Sequence, residues 1–274
     1  MKSWLKIGYV QTDPRFGEKK ANVDQAVDML SSADADLMVL PELFNSGYQF
    51  SSRSEVIGLA EEVPSGYTTR RLIKLAREKR MFVVAGLPER KGRNCYNASI
   101  LVSPSGYVDV YRKIHLFYEE KLWFTPGNRM LKIYDIGKAR IGMMICFDWF
   151  FPEVARSLAL LGADILCHPS NLVLPHCPQA MITRCLENRV FAVTANRVGF
   201  EEREEKERLT FIGLSQVISP KGEILYRASS EKSAMQVVEV NPLEAKRKSI
   251  NRYNHLFEDR RPEFYRTLQK SSDD

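Results

Sequence analysis

The sequence predicts an α/β protein built as two mixed sheets lying face to face with helices outside. Three observations carry that expectation. Short apolar runs alternate with helix-period segments from Leu5 to Gly86 and again from Pro152 to Val198, the pattern of an α/β layer. Between these stretches lie strand pairs joined by turns too short for anything but antiparallel pairing. The chain has 274 residues, 44% of them hydrophobic, and no linker composition divides it, so one large domain is expected.

Leu5 to Val10 reads as a short apolar strand. After a turn around Asp13–Pro14, Val23, Ala26, Val27 and Leu30 recur at helical spacing, with Asn22 as the expected N-cap. Leu37 to Leu40 is a fully apolar strand stopped by Pro41, and a basic helix from Thr68 to Arg80 leads into the strand Met81–Gly86. Asn94–Ser103 and Tyr107–Lys113 form a hairpin across Pro104–Ser105–Gly106. Leu131–Ile136 pairs with Arg140–Cys146 across Gly137–Lys138–Ala139.

The strand ending at Cys146 is followed by Pro152–Leu161 as a helix, Asp164–Cys167 as a strand, Ala180–Phe191 as a helix and Val193–Val198 as a strand. Phe211–Ser219, Glu223–Arg227 and Ala234–Val240 complete the strands, with Lys221–Gly222 as a turn. Ala35–Asp36–Leu37 running to Pro41 and Ala163–Asp164–Ile165 running to Pro169 share one spacing. That echo fits related halves of a sandwich, and equally the chance recurrence of a short pattern. The domain is expected over residues 1–240. Residues 241–274 open on an Asn–Pro helix start and then turn highly charged, with Leu256, Phe257, Phe264 and Tyr265 scattered among the charges. Such an arm cannot form its own core. It is expected to pack on the body or on a partner subunit, or to stay partly disordered.

The formal net charge of +6 raises nucleic acid as a partner. The basic residues are interleaved with acidic ones, as in Glu201–Arg208, and no basic stripe carries aromatics, so none is expected. No apolar run approaches a membrane span, and the N-terminus enters a strand without a signal-peptide core. The cysteines at 95, 146, 167, 177 and 185 are odd in number and form no CxxC pair. Neither a disulfide framework nor a metal site is indicated, which favours a reducing cytoplasm and calls for no cofactor.

Three strand ends carry polar groups that core packing does not explain. Glu42 follows the strand stopped by Pro41, Lys113 ends the second hairpin strand, and Cys146 ends an apolar run facing the start of the Pro152 helix. Each alone reads as a strand-end charge or a packed cysteine. Acid, ammonium and thiol together are more specific. A thiol is little ionised near neutral pH and needs a base, a cation or helix N-terminal amides to become a nucleophile.

The sequence resembles the nitrilase superfamily of carbon–nitrogen hydrolases. The likeness rests on Leu40–Pro41–Glu42–Leu43–Phe44 with Gly47–Tyr48, on Tyr111–Arg112–Lys113–Ile114–His115–Leu116, and on Ile145–Cys146–Phe147–Asp148 with Phe151–Pro152–Glu153. It extends through Phe124–Gly127, His168–Leu172, Glu187–Arg189 and Thr194–Arg197, in the family's order and over nearly the whole chain. The resemblance implies a four-layer αββα sandwich that pairs into a homodimer, with larger assemblies in some members. It implies Glu42 as general base, Lys113 as cationic stabiliser, Cys146 as nucleophile and Glu120, rather than Glu119, as a second active-site glutamate.

The expected reaction is hydrolysis of a small amide or nitrile to ammonia and a carboxylic acid through a Cys146 thioester, the Phe147 N–H helping to hold the oxyanion. Tyr48, Phe147, Trp149 and Asn171 are candidate pocket residues, although aromatics there serve as readily in a core. Same-fold alternatives are an N-carbamoyl amine amidohydrolase and an ω-amidase. A Cys146–His168 glutamine amidotransferase and a non-catalytic dimeric binding protein are the readings from other classes. His115 and His168 sit in apolar stretches that suit hydrogen-bonded core imidazoles, and Glu187 with Asn188 reads as a structural polar network.

Overall fold

The computed structural model describes residues 4–203 and 206–269. Met1–Ser3, on which the reading of the N-terminus partly rests, and the end of the arm from Lys270 lie outside the described residues, as do Glu204 and Glu205 of the interleaved charge run. In chain order the strands are β1 (Leu5–Gln11), β2 (Leu37–Val39), β3 (Phe82–Lys91), β4 (Asn94–Ser103), β5 (Gly106–Arg112), β6 (Ile133–Asp135), β7 (Arg140–Met143), β8 (Ile165–Pro169), β9 (Phe191–Ala195), β10 (Phe200–Glu201), β11 (Leu209–Thr210), β12 (Gln216–Ile218), β13 (Ile224–Arg227) and β14 (Ala234–Val240). The α-helices are α1 (Lys19–Ser31), α2 (Arg53–Leu59), α3 (Tyr67–Lys79), α4 (Glu120–Trp123), α5 (Pro152–Leu161), α6 (Cys177–Asn188) and α7 (Leu243–Lys246). Among the described residues no helix is long and apolar enough to cross a membrane.

The strands form two six-stranded mixed sheets, ordered β14-β1-β2-β3-β4-β5 and β6-β7-β8-β9-β12-β13, plus the small β10-β11 ribbon. Alternation along each strand builds the layers. Leu5, Ile7, Tyr9, Leu37, Val39 and Val84 point to the second sheet. Their neighbours Val10, Met38, Leu40, Val83 and Ala85 face α1 and α3 on the outside. On the far side α5 and α6 cover the second sheet, giving the αββα order.

The two sheets repeat one plan. In each, an antiparallel edge strand is followed by three parallel strands and two antiparallel ones. Ile7, Leu37 and Phe82 stand in register in the first sheet, as Ile141, Ile165 and Phe191 do in the second. The spacing echo has a mechanical meaning here. Asp36 and Asp164 each accept a bond from a backbone N–H in the first two residues of the neighbouring strand, Lys6 in one sheet and Arg140 in the other, both at 2.8 Å.

Several boundaries differ from those read off the sequence. Asn22 is not an N-cap. The helix begins at Lys19, and Asn22 sits in its second turn, bonding the Arg15 backbone in both directions (2.9 and 2.7 Å) and the Asn45 carbonyl at 3.1 Å. The first turn is polar, so it lies outside the apolar period that marked the helix. The strand expected to reach Cys146 keeps its ladder only to Met143; the chain runs on extended through Ile145 and turns at Cys146, whose φ is +37°. α6 begins at Cys177, with Pro178 in its first turn, and ends at Asn188 where Arg189 turns left-handed. The expected strand Phe211–Ser219 is reduced to Gln216–Ile218, since Gly213 and Leu214 have φ of +60° and +57°.

Beyond β2, the segment Pro41–Phe44 stays fastened to β3 through Gly86, whose N–H donates to the Pro41 carbonyl and whose carbonyl accepts from Phe44. A Cβ on Gly86 would stand 2.5 Å from the Cα of Glu42 and 2.8 Å from the Pro41 carbonyl oxygen. The backbone at Glu42 therefore approaches β3 as closely as only glycine allows. Gly86→Ala is expected to lower unfolding stability by about 1–3 kcal/mol and to displace Glu42. Denaturant unfolding of this variant at wild-type stability would contradict that close approach.

Candidate active site

The carboxyl ends of the parallel strands in both sheets meet at one end of the sandwich. Glu42 comes from the end of β2, and Leu43, with φ of +47°, turns the chain so that the carboxylate stays inside. Lys113 follows the last residue of β5, its N–H donating to the Asn97 carbonyl of β4 at 2.8 Å. Both side chains are fully buried. Lys113 Nζ donates to Glu42 Oε1 at 2.7 Å and to Glu120 Oε1 at 2.7 Å. The chain returns from Lys113 to Glu120 through Tyr118, whose φ is +48°, and Glu120 opens α4. Glu119 points to the rim instead, where it pairs with Lys206.

Asn97, in the middle of β4, joins the two acids. Its Nδ2 donates to Glu42 Oε1 at 2.6 Å and approaches Glu120 Oε2 at 3.3 Å. Tyr48 donates its hydroxyl to Glu120 Oε1 at 2.8 Å, so it positions an acid of the cluster as well as bordering it. Among the described residues, Glu42 Oε2 and the Oδ1 of Asn97 have no protein partner.

Cys146 lies beyond the end of β7, at the first position of a 3₁₀ turn over Cys146–Phe150, and its φ is +37°. A non-glycine residue in this region is strained and persists where its surroundings enforce it. Two residues enforce it here. Asp148, fully buried, accepts from the Ile145 N–H (2.9 Å), the Tyr111 hydroxyl (2.7 Å) and the His115 N–H (3.2 Å), lashing the turn to the segment that carries Lys113. His168, at the end of β8, reaches the Cys146 carbonyl with Nε2 at 2.9 Å. A carbonyl only accepts, so Nε2 carries the proton and Nδ1 accepts from Thr194 Oγ1 at 3.1 Å. Burial pushes His168 down to about 4, so it stays neutral. With both ring nitrogens engaged, His168 has none to offer the thiol, contrary to the cysteine–histidine alternative.

The charges decide the protonation state. Burial alone would lower Lys113, but Glu120 and Glu42 outweigh it and hold the ammonium well above its ordinary value. Burial raises Glu42, Lys113 offsets part of that and Glu120 adds to it, leaving Glu42 at about 7. Cys146 is pushed well above its ordinary value by burial first and then by Glu42, against the opposing pull of Lys113. The ready thiolate expected from a nearby cation and helix amides is therefore replaced by a neutral thiol beside an acceptor. One ammonium is shared between two carboxylates, so no positive charge is left over for a resting thiolate.

The remaining candidates divide. The Asn171 backbone N–H favours the thiolate of Cys146, and both atoms of its side-chain amide are buried with no protein partner among the described residues. Phe147 stands in the first turn of the 3₁₀ segment, where its N–H has no intrahelical acceptor, and its half-buried ring packs on Phe117 at 5.0 Å. Trp149 is a core residue packed on Phe150 at 4.8 Å, with its carbonyl held by Arg184. His115 stacks on Phe151 at 3.6 Å and bonds Asp148. Glu187 and Asn188 bond Arg184 along α6, away from the cluster. The roles of Asn97 and Asp148 are not read from the sequence. Asp148 is marked only by its place in the block with Cys146, and Asn97 is one polar residue in a strand that also holds Asn94 and Ser99.

The carbon–nitrogen hydrolase family model matches residues 6–247. The chain is similar to a nitrilase of Pyrococcus abyssi, 46% identical over 264 residues that cover 95% of this chain and 99% of that protein. It is also similar to an (R)-stereoselective amidase of Pseudomonas sp., 34% identical over 242 residues, covering 86% and 85% of the two chains. Among solved structures it resembles a variant of the amidase of Nesterenkonia sp. AN1, with a TM-score of 0.79, 25% identity and 96% of each chain covered. That structure carries the acetamide moiety of fluoroacetamide covalently added at its active-site cysteine. Matched by the family model and the nitrilase over nearly its whole length, and folded like the Nesterenkonia amidase, the chain belongs to the carbon–nitrogen hydrolases of the nitrilase superfamily.

Proposed function

We propose that the enzyme hydrolyses small amides and nitriles through a thioester on Cys146, with Glu42 as the general base, Lys113 and the Phe147 N–H as the oxyanion donors, and Glu120 as the residue that holds Lys113. The observation that carries this reading is the buried ammonium held at 2.7 Å by two carboxylates, close enough for all three charges to act on one thiol. In an amide, the Cys146 sulfur attacks the carbonyl carbon as its proton passes to Glu42. The carbonyl electrons move onto oxygen, which the Lys113 ammonium and the Phe147 N–H stabilise. Glu42 returns the proton to the nitrogen, the C–N bond breaks, and ammonia leaves a thioester behind. Water then attacks the thioester, giving a proton to Glu42, and as the C–S bond breaks Glu42 passes that proton to the sulfur, which releases the acid and restores the Cys146 thiol. A nitrile first gives a thioimidate, which takes up water and loses ammonia to reach the same thioester. Tyr48 and Asn171 border the reacting groups, and the free amide of Asn171 suits a polar group on the acyl side of the substrate.

Because Glu42 must be ionised to accept a proton, its raised value of about 7 makes activity fall as pH drops through that region. Ammonia release from short aliphatic amides and nitriles is expected to show kcat/KM with an acidic limb centred near pH 7. Glu42→Gln is expected to lower kcat/KM about a hundred- to ten-thousand-fold and to abolish that limb. A flat acidic profile, or a Glu42→Gln enzyme near wild-type rate, would remove Glu42 from the reaction. Carbamoyl amines and dicarboxylate monoamides belong in the same screen as the competing substrate classes.

We infer a second copy of the chain as the partner of the outer helical layer, with the body over residues 1–240 and the arm from Asn241 packed against it. Leu160 and Leu161 on α5 and Leu186 on α6 are 41%, 49% and 47% exposed, a poor arrangement for a face in water. The arm leads onto the same layer. Lys248 Nζ donates to the Asn188 and Arg189 carbonyls, and Phe257 packs beneath Arg156. Leu161→Glu combined with Leu186→Glu is expected to raise the dimer dissociation constant about a hundredfold or more. A double variant that stays dimeric by light scattering at low concentration would rule out this face.

A further inference from the structure

Tyr48 is held by a buried ion pair that lies outside the cluster. Arg197 is fully buried, with its guanidinium 4.0 Å from the centre of the Phe211 ring. It donates to Glu201, to Asp13 at 3.2 Å and to the Pro14 carbonyl at 3.0 Å. Glu201, 6% exposed, accepts from the backbone N–H groups of Tyr48 at 3.1 Å and Gln49 at 2.6 Å. The Tyr48 ring stands edge-on to Phe211 with centroids 6.0 Å apart. One cation thus holds Tyr48 twice, its backbone through Glu201 and its ring through Phe211. Gly47, with φ of +81°, lets the loop come this close, since a Cβ there would stand 2.9 Å from Glu201 Oε1.

We infer that Arg197 and Glu201 are positioning residues for the hydrolysis, acting through Tyr48 to fix Glu120 and so the direction of the Lys113 ammonium. The inference rests on the place given above to Glu120 and Lys113. The Tyr48 hydroxyl donates to Glu120 Oε1, the same atom that accepts Lys113 Nζ. That shared oxygen is the hinge. With the hydroxyl in place, part of the oxygen's charge is satisfied by Tyr48, and Lys113 can turn to a developing oxyanion. Without it, Glu120 competes for the ammonium with the substrate oxygen. The loss falls on the transition state more than on binding. A buried Arg–Glu pair adds little to stability over an apolar pair of the same shape, whereas the two backbone bonds from Glu201 both land on the loop that carries Tyr48.

The test is a double-mutant cycle on the full-length enzyme, read as steady-state ammonia release, with unfolding midpoints measured alongside. Tyr48→Phe removes the hydroxyl. Glu201→Gln leaves one acceptor oxygen for the loop and removes the charge that Arg197 holds. Each single change is expected to lower kcat about tenfold with KM within about twofold, the scale of one hydrogen bond to a charged group. The double variant is expected to be no slower than the slower single one, because both changes cut one chain of contacts. Effects that multiply to about a hundredfold in the double variant would overturn the inference, since Glu201 would then act by another route. Tyr48→Phe at the wild-type rate would overturn the role of the Glu120 bond, and the inference with it. Should Glu201→Gln not fold, Phe211→Leu, which removes the ring beneath Arg197 and touches no charge, completes the cycle with Tyr48→Phe and the same two outcomes.

Discussion

The site depends on one ammonium buried where no water can solvate it. A lone lysine at that depth would lose its proton, and a lone glutamate would keep its own. Lys113 stays charged because two carboxylates flank it, and Lys113 in turn offsets part of the cost of ionising the buried Glu42. Three charges with one sign in excess cannot all be satisfied, and that imbalance is useful. It leaves Glu42 near neutrality, suited to the proton-accepting role proposed for it, and it leaves the thiol protonated until a substrate gives the negative charge somewhere to go. Buried ion pairs of this kind contribute little to folding, so their presence is a statement about chemistry.

The repeated sheet plan explains how a thiol comes to lie beside this cluster. The first sheet supplies acid and ammonium from the ends of β2 and β5, and the second supplies the cysteine beyond β7. The relation between them is set by the apolar layer between the sheets, where Ile7, Tyr9, Leu37 and Val39 meet the second sheet. A packed layer of this density transmits position with little give. Asp148 adds a direct polar tie across it, binding the nucleophile's turn to Tyr111 and His115 on either side of Lys113.

Strain and hydrogen bonding are balanced at the nucleophile. Cys146 occupies a left-handed conformation that costs energy, and His168 stabilises it by binding its carbonyl. The imidazole thus serves the nucleophile by holding its backbone. The same logic recurs at Tyr48, where a glycine turn and a buried carboxylate hold a loop that would otherwise follow its own preferences.

By itself the sequence determined most strands of the two sheets, the main helices, the face-to-face layering and the residue types at three strand ends. Each of these is written in local periodicity. An apolar run such as Leu37–Leu40 must be buried on both faces, a recurrence such as Val23, Ala26, Val27 and Leu30 must face a core, and Pro41 must end a strand. The likeness of its blocks to a known family then implied roles for those strand ends. Local pattern carries no record of partners far apart in the chain. Asn97 finds Glu42 across 55 positions and Glu201 finds Tyr48 across 153, and neither pairing leaves a period to read. The turn at Cys146 was read as a strand end because its apolar neighbours look alike in either conformation. Tertiary structure alone decided which nitrogen of His168 carries the proton, that Lys113 answers to two acids, and that the resting nucleophile is a thiol, because all three follow from burial and distance between elements that the chain brings together only when it folds.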